Sequence, residues 1–279
     1  MILFLAYIFL IAQIFLCVKA DPLVGEHIFP ANPHEFPFIV LFKQKSSKER
    51  LNSEYFCTGS LITQKHIITV AHCFQHRIQN EIEAIFAGKD WTTSYFSYAI
   101  DSWCIYDSWA RANEKTIEFP INDVAIVKLS LPVRHDGITP AHLTNLNNKQ
   151  LYGTKAMIVG WVGIYDNSST MHLLQGKVTI LRPYESEHLL KLVANRKIKV
   201  SENYLTTSAD PYILSSCGDS GGPLLDKDNI LLGVTRGICP TIKWGNFPPE
   251  FLKKYKVTVH LSVDYYREFI ENVTTLTED

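Results

Sequence analysis

Cys217-Gly218-Asp219-Ser220-Gly221-Gly222-Pro223-Leu224 is the stretch on which the reading of this chain turns. A serine hydroxyl is a poor nucleophile until a base takes its proton and nearby donors stabilise the oxyanion. Gly218 and Gly221 leave the backbone around Ser220 bare, so a substrate carbonyl can approach the N–H groups closely. A glycine-rich β-turn would account for one glycine pair, but the whole octapeptide favours a nucleophile.

Working outward, two more segments supply what such a serine needs. Thr69-Val70-Ala71-His72-Cys73 follows an apolar strand. His72 can accept and return a proton near neutral pH. A histidine met alone in a strand-rich chain is more often a surface or core residue. Here Cys57-Thr-Gly-Ser-Leu61 lies upstream at a loop length compatible with a Cys57–Cys73 disulfide. That closure is worth about 3 kcal/mol on the chain-entropy argument, and it would hold His72 against the fold. Asn122-Asp123-Val-Ala-Ile-Val-Lys-Leu129 opens an apolar strand with a carboxylate. Burying Asp123 is costly unless it is paired. Holding an imidazole N–H would supply the partner, although a solvent-facing Asp at a strand start is the simpler reading of this segment in isolation.

Short β-branched and apolar runs recur between turn residues, at Phe38 to Phe42, Ile67 to Val70, Val124 to Leu129, Met157 to Val159, Lys177 to Leu181, Leu231 to Thr235 and Val257 to Val259. Strands this short and frequent predict an all-β fold of barrels or a sandwich, not a parallel α/β sheet. After Ser262, read as an N-cap, Val263, Tyr266, Phe269, Ile270 and Val273 share one face of a predicted C-terminal helix.

The formal charge of −1 over 279 residues argues against a nucleic-acid or anionic-membrane partner. The basic runs at Lys43 to Arg50 and Lys253 to Lys256 are read as solvated loops. Ile2 to Val18 is apolar apart from Gln13, and Val18-Lys19-Ala20 offers small residues at signal-peptidase spacing. Residues 1–20 are therefore expected to be a signal peptide and the protein to be secreted; a membrane anchor is the rival, at the short limit of span length. Of six cysteines, Cys17 falls in the leader and five remain, an odd number that leaves one thiol without an internal partner. Asn167 and Asn272 head N-glycosylation triplets. His72 and His76 have the i, i+4 spacing of a zinc pair on a helix, but no metalloprotease glutamate accompanies them, and neither metal nor cofactor is expected.

Together, the three motifs, in the order His, Asp, Ser, resemble the chymotrypsin/trypsin family of serine proteases. The similarity extends from Leu23 through Pro37-Phe-Ile-Val40, Gly160-Trp161 and Leu174-Gln175 to the C-terminal helix. The resemblance implies two packed six-stranded antiparallel β-barrels, at about residues 23–132 and 133–262, with the helix after 262. It implies a serine endopeptidase in which His72 deprotonates Ser220, Asp123 orients His72, and the N–H groups of Gly218 and Ser220 form an oxyanion hole. It also implies the disulfides Cys57–Cys73 and Cys217–Cys239, leaving Cys104 unpaired; that thiol is read as buried and inert, with a covalent dimer as the alternative. Protein or peptide substrates, protein protease inhibitors and a monomeric state follow as expectations.

In active members of the family, Leu23 would begin the mature chain and its ammonium would pair with Asp219. Pro22, rather than Arg or Lys, precedes it. Signal removal after Ala20 would leave Asp21-Pro22, and a proline-directed dipeptidyl peptidase is the expected remover. The resemblance puts the specificity pocket at Leu214 or Ser215 with Arg236 and Gly237. None of these is acidic, which disfavours a Lys or Arg substrate side chain and favours a large apolar one. Arg236 would narrow that pocket, attract an acidic side chain, or turn outward as a surface residue. An inactive homologue that binds or regulates in a proteolytic cascade is the alternative function.

Overall fold

The computed structural model describes residues 23–25, 27–45, 55–87, 95–119, 121–162, 172–194, 198–209, 212–215, 218–239 and 255–275. The expected leader, Asp21-Pro22, Asn167 and Cys217 lie outside these residues, as do residues 46–50 of the first basic run and 253–254 of the second.

Six strands close the first barrel: β3 (Ile39–Gln44), β4 (Tyr55–Leu61), β5 (His66–Val70), β6 (Ile82–Ala87), β7 (Tyr95–Ile105) and β8 (Val124–Leu129). Their order is β3-β4-β5-β8-β7-β6, and β6 returns to pair with β3. Every residue of β5 is buried. Such continuous burial replaces the usual in–out alternation because one face fills the barrel while the other meets the second half of the molecule. Two shorter strands precede this barrel and pair outside it. Here β1 (Val24–Gly25) pairs with β12 (Ile213–Leu214), and β2 (Ile28–Pro30) pairs with β10 (His172–Ile180).

The second barrel runs β10, β9 (Lys155–Val162), β13 (Pro223–Leu225), β14 (Leu231–Cys239), β15 (Val257–Ser262) and β11 (Tyr204–Ser208), and β11 closes on β10 through Thr179↔Ser208 and Ile180↔Thr207. The fold is thus two closed six-stranded antiparallel barrels, as expected. The strands read from sequence are all present. The missed ones include β7, β11 and the two-residue β1 and β12, whose polar or brief runs carry little apolar signal.

Between strands lie α1 (Tyr106–Ala112), α2 (Asn148–Leu151) and α3 (Pro183–Ala194), and the chain ends in α4 (Arg267–Thr275). The predicted helical face is buried at Val263, Tyr266, Phe269, Ile270 and Val273. The helix begins later than read, because Val263 to Tyr266 form turns first. Ser262 caps those turns, its Oγ accepting from the Tyr265 N–H at 3.2 Å and donating to Asn148 Oδ1 at 2.6 Å. Tyr266 and Phe269 reach across to the first barrel, where Tyr106 lies 5.0 and 5.6 Å from their rings and Trp109 lies 5.5 Å from Phe269. Such edge-to-face aromatic contacts add to the area they bury.

Lys256 departs from the solvated-loop reading. It is 4% exposed at the foot of β15, and burial lowers its pKa. Among the described residues, no helix is long and apolar enough to cross a membrane.

Candidate functional site

The site begins with a strand register. Pairing of β5 with β8 ends at Val70↔Val124, so the residues that leave β5 face those that enter β8. The Ala71 N–H donates to the Asp123 carbonyl at 3.0 Å, and a single 3-10 turn, Ala71–Phe74, carries His72 over the carboxylate. Asp123 Oδ1 accepts the backbone N–H of His72 at 2.8 Å, and Oδ2 meets His72 Nδ1 at 2.8 Å. With a carboxylate as acceptor, Nδ1 carries the hydrogen and Nε2 is left as the basic nitrogen. Burial works to raise the pKa of Asp123. The side-chain bond to His72, the charges of His72 and Arg236 and the backbone bond outweigh it, and the carboxyl is held below the usual range.

Asn122 is fixed from behind. Tyr266 Oη donates to Asn122 Oδ1 at 3.0 Å and accepts from Asn203 Nδ2 at 2.9 Å. Asn203 Nδ2 and Tyr204 Oη both donate to the Ile121 carbonyl, at 3.3 and 3.1 Å. The strand that presents Asp123 is therefore tied to β11 and the C-terminal turns by hydrogen bonds between buried polar groups.

Ser220 reaches the same cleft from the other barrel. The Thr58 N–H donates to the Ser220 carbonyl at 2.8 Å, and Thr58 Oγ1 donates to the Gly218 carbonyl at 2.8 Å. Gly221 has φ +87°, and a Cβ there would fall 1.9 Å from the Thr58 carbonyl oxygen. Only glycine allows this approach. The Cys57–Cys73 disulfide joins the strand that holds Thr58 to the turn that holds His72. Among the described residues, the N–H groups of Gly218 and Ser220 donate to no protein acceptor, which leaves them available to a ligand. Likewise, no hydrogen bond joins Ser220 Oγ to His72 among the described residues. Such bonds are often long in a ligand-free site and tighten with substrate.

The Leu23 N–H donates to Asp219 Oδ2 at 2.8 Å in a buried setting, while the Leu23 side chain packs in the second barrel's core. Gly160 makes room for that carboxylate, since a Cβ there would lie 2.1 Å from Asp219 Oδ1.

With this geometry in hand, the relatives can be placed. The profile of the Trypsin family matches residues 27–258. The chain belongs to the trypsin family. It is 28% identical over 262 residues to phenoloxidase-activating factor 1 of Holotrichia diomphalia, covering 86% of this chain and 67% of that protein. Against mouse transmembrane protease serine 11G it is 24% identical, covering 80% of this chain but 50% of the relative. The chain thus spans half to two-thirds of the length of these trypsin-family relatives. In fold it is similar to the scabies mite inactivated protease paralogue S-I1, with a TM-score of 0.67 at 18% identity, covering 91% of this chain and 99% of the mite protein.

The four residues expected at a specificity pocket have separate surroundings. Leu214 pairs through its backbone with Val24. Ser215 is buried, and its N–H donates to Thr258 Oγ1 at 3.4 Å. Gly237 has φ +149° with open space where a Cβ would be. Arg236 reaches back to the first barrel, where its Nε donates to Asp123 Oδ2 at 3.0 Å. A buried carboxylate within reach of a guanidinium outcompetes solvent for it.

The helical spacing of a His72–His76 zinc pair is also lost, since the 3-10 turn ends at Phe74. Cys57, His72 and Cys73 do converge, but the two sulfurs are bonded to each other and cannot act as thiolate ligands. Cys104 is a half-buried free thiol whose pKa burial pushes up, consistent with inertness.

Sequence reasoning passed over Thr58 and Thr69 as functional residues. Thr69 Oγ1 donates to the Thr58 carbonyl at 2.8 Å and braces the clamp on the serine loop. Both stand within quoted motifs, and most buried hydroxyls find a hydrogen-bond partner, which was the available signal.

Proposed function

We propose that this trypsin-family chain is a secreted serine endopeptidase acting through Ser220, His72 and Asp123. The observation that carries it is the pair of hydrogen bonds from His72, through Nδ1 and the backbone N–H, to the Asp123 carboxylate, beside a serine loop clamped to the same disulfide-linked strand. As Ser220 Oγ attacks a peptide carbonyl, its proton passes to His72 Nε2 and the Oγ–C bond forms. The oxyanion is held by the N–H groups of Gly218 and Ser220. Collapse breaks the C–N bond, and His72 returns the proton to the leaving amine; water then repeats the sequence on the acyl-enzyme.

Activation on this reading requires a free Leu23. Its peptide N–H already reaches Asp219, and removal of Asp21-Pro22 would replace a neutral donor with an ammonium at the same place. Trypsin-like proteases act on proteins and are bound by protein inhibitors, and these are the proposed partners of a monomer. A neutral Ser215 and an open Gly237 support a large apolar side chain before the cut. Asn272 is half-exposed on α4 and remains a candidate glycan site.

A second reading, a protease-like binding protein, draws on the guanidinium that occupies Asp123 and on the similarity in fold to an inactivated mite paralogue. Fluorophosphonate labelling decides between them. Protein beginning at Leu23 should label at Ser220, protein beginning at Asp21 at least tenfold more slowly, and Ser220→Ala not at all. A peptidyl phosphonate bearing Phe should react faster than its Lys or Asp counterpart. Absence of Ser220-dependent labelling in the Leu23 form would select the binding protein.

A further inference from the structure

The carboxylate behind His72 has one neighbour that the proposed chemistry does not use. Asp123 Oδ2 accepts from His72 Nδ1 at 2.8 Å and from Arg236 Nε at 3.0 Å, while Oδ1 accepts the His72 backbone N–H. Arg236 comes from β14, 113 residues further along the chain, and its side chain is 25% exposed. The hydroxyl next to it in sequence, Thr235 Oγ1, is engaged elsewhere, with His260 Nδ1 at 3.1 Å.

We infer that Arg236 is a positioning residue that shares the Asp123 carboxylate with His72 and thereby makes His72 a weaker base. This rests on the proposed roles of Ser220, His72 and Asp123 for its catalytic meaning, but the coupling itself does not require turnover. Two effects act in one direction. The guanidinium takes part of the hydrogen-bonding capacity of Oδ2, and its positive charge opposes formation of an imidazolium on the far side of the carboxylate. Neutral imidazole, the form able to accept the proton of Ser220, then persists to lower pH than an Asp123 paired with His72 alone would allow.

The other groups around the pair leave Arg236 as the distinctive charge. From β11, Tyr204 feels both Arg236 and Asp123, but its hydroxyl donates to the Ile121 carbonyl and burial, its main influence, raises its pKa, so it stays neutral. From α1, Asp107 acts at one remove, accepting from Asn122 Nδ2 at 3.0 Å. From the end of β14, Cys239 contributes to the field at Tyr204 and is not among the donors to Asp123. Arg236 is therefore the cation that bears on the carboxylate besides His72 itself.

The test is an imidazole NMR titration of His72 in the full Leu23-initiated chain carrying Ser220→Ala, compared with the same protein carrying Arg236→Gln or Arg236→Met. Two neutral replacements guard against a folding defect in one of them. The His72 midpoint should rise by about half a pH unit or more in both. Arg236→Lys, which retains the charge, should move it by less than half as much. In Ser220-containing protein, the acid limb of kcat/KM should shift upward by the same amount. A midpoint unchanged by either neutral variant overturns the inference and leaves Arg236 a packing residue. If the midpoint moves while no form turns over substrate, the coupling stands and the catalytic reading fails.

Discussion

At Gly160 the requirement is for absence. A Cβ there would press against Asp219 Oδ1, and Asp219 Oδ2 is already committed to the Leu23 N–H. Gly160→Ala should force the carboxylate away from Leu23 and loosen the Gly218–Ser220 loop that follows it in structure. Overpacking of this kind costs about 1–3 kcal/mol. The expected result is a lower thermal midpoint together with at least tenfold slower fluorophosphonate labelling of Ser220. Wild-type labelling in a Gly160→Ala protein would mean that the Asp219 position is not coupled to the nucleophile. Gly221 makes the same demand more severely, because its positive φ and its contact with the Thr58 carbonyl exclude a side chain on two grounds.

Between elements, the site depends on register and on one buried hydroxyl. A slip of β5 against β8 by one residue would turn every side chain over and separate His72 from Asp123, so the apolar faces of the two strands hold the His72–Asp123 pair as well as the barrel. Tyr266 Oη secures the same corner from the C-terminal turns, bonding Asn122 and Asn203. Tyr266→Phe keeps the ring contacts with Tyr106 and leaves Asn122 Oδ1 without this donor in a buried place. A loss of about 1–3 kcal/mol in urea unfolding is expected. A change too small to measure would show that the network is dispensable.

For the whole molecule, two buried histidines make stability depend on pH. His260 bridges Thr207 Oγ1 at 2.9 Å and Thr235 Oγ1 at 3.1 Å inside the second barrel, and burial lowers its pKa to about 3. His66 lies against Thr63 Oγ1 at 2.7 Å in the first barrel, where burial, then Lys128 and Lys65, lower its pKa to about 4. Both folded values lie below the ordinary 6.5. Above pH 6.5 neither histidine is protonated in either state, and their contribution to stability is intact. Between pH 6.5 and about 4 the unfolded chain takes up protons that the folded chain refuses, so stability falls with pH. On unfolding at pH 5 these two residues together should take up about two protons from solvent, read as a fall in thermal midpoint between pH 7.5 and 5. A His66→Gln, His260→Gln protein should show a shallower fall over the same range, and an equal slope would place the acid sensitivity elsewhere.

Much of this molecule is local in origin. The period of apolar residues in Ile67 to Val70 and Val124 to Leu129 is a property of neighbours along the chain, as is the buried face from Val263 to Val273. The pairing of His72 with Asp123 and the proposed part of Ser220 were legible for the same reason: a hydroxyl between glycines, an imidazole beside a cysteine and a carboxylate opening an apolar strand each pose a local problem with few solutions. The destination of a long charged side chain is not local. Sequence left Arg236 free to face solvent or substrate, and read Lys256 as part of a solvated run. Tertiary folding decided both. It brought a buried carboxylate within 3.0 Å of one cation and withdrew the other from water. Such outcomes turn on which charges a fold desolvates together, a quantity that exists only once distant strands have met.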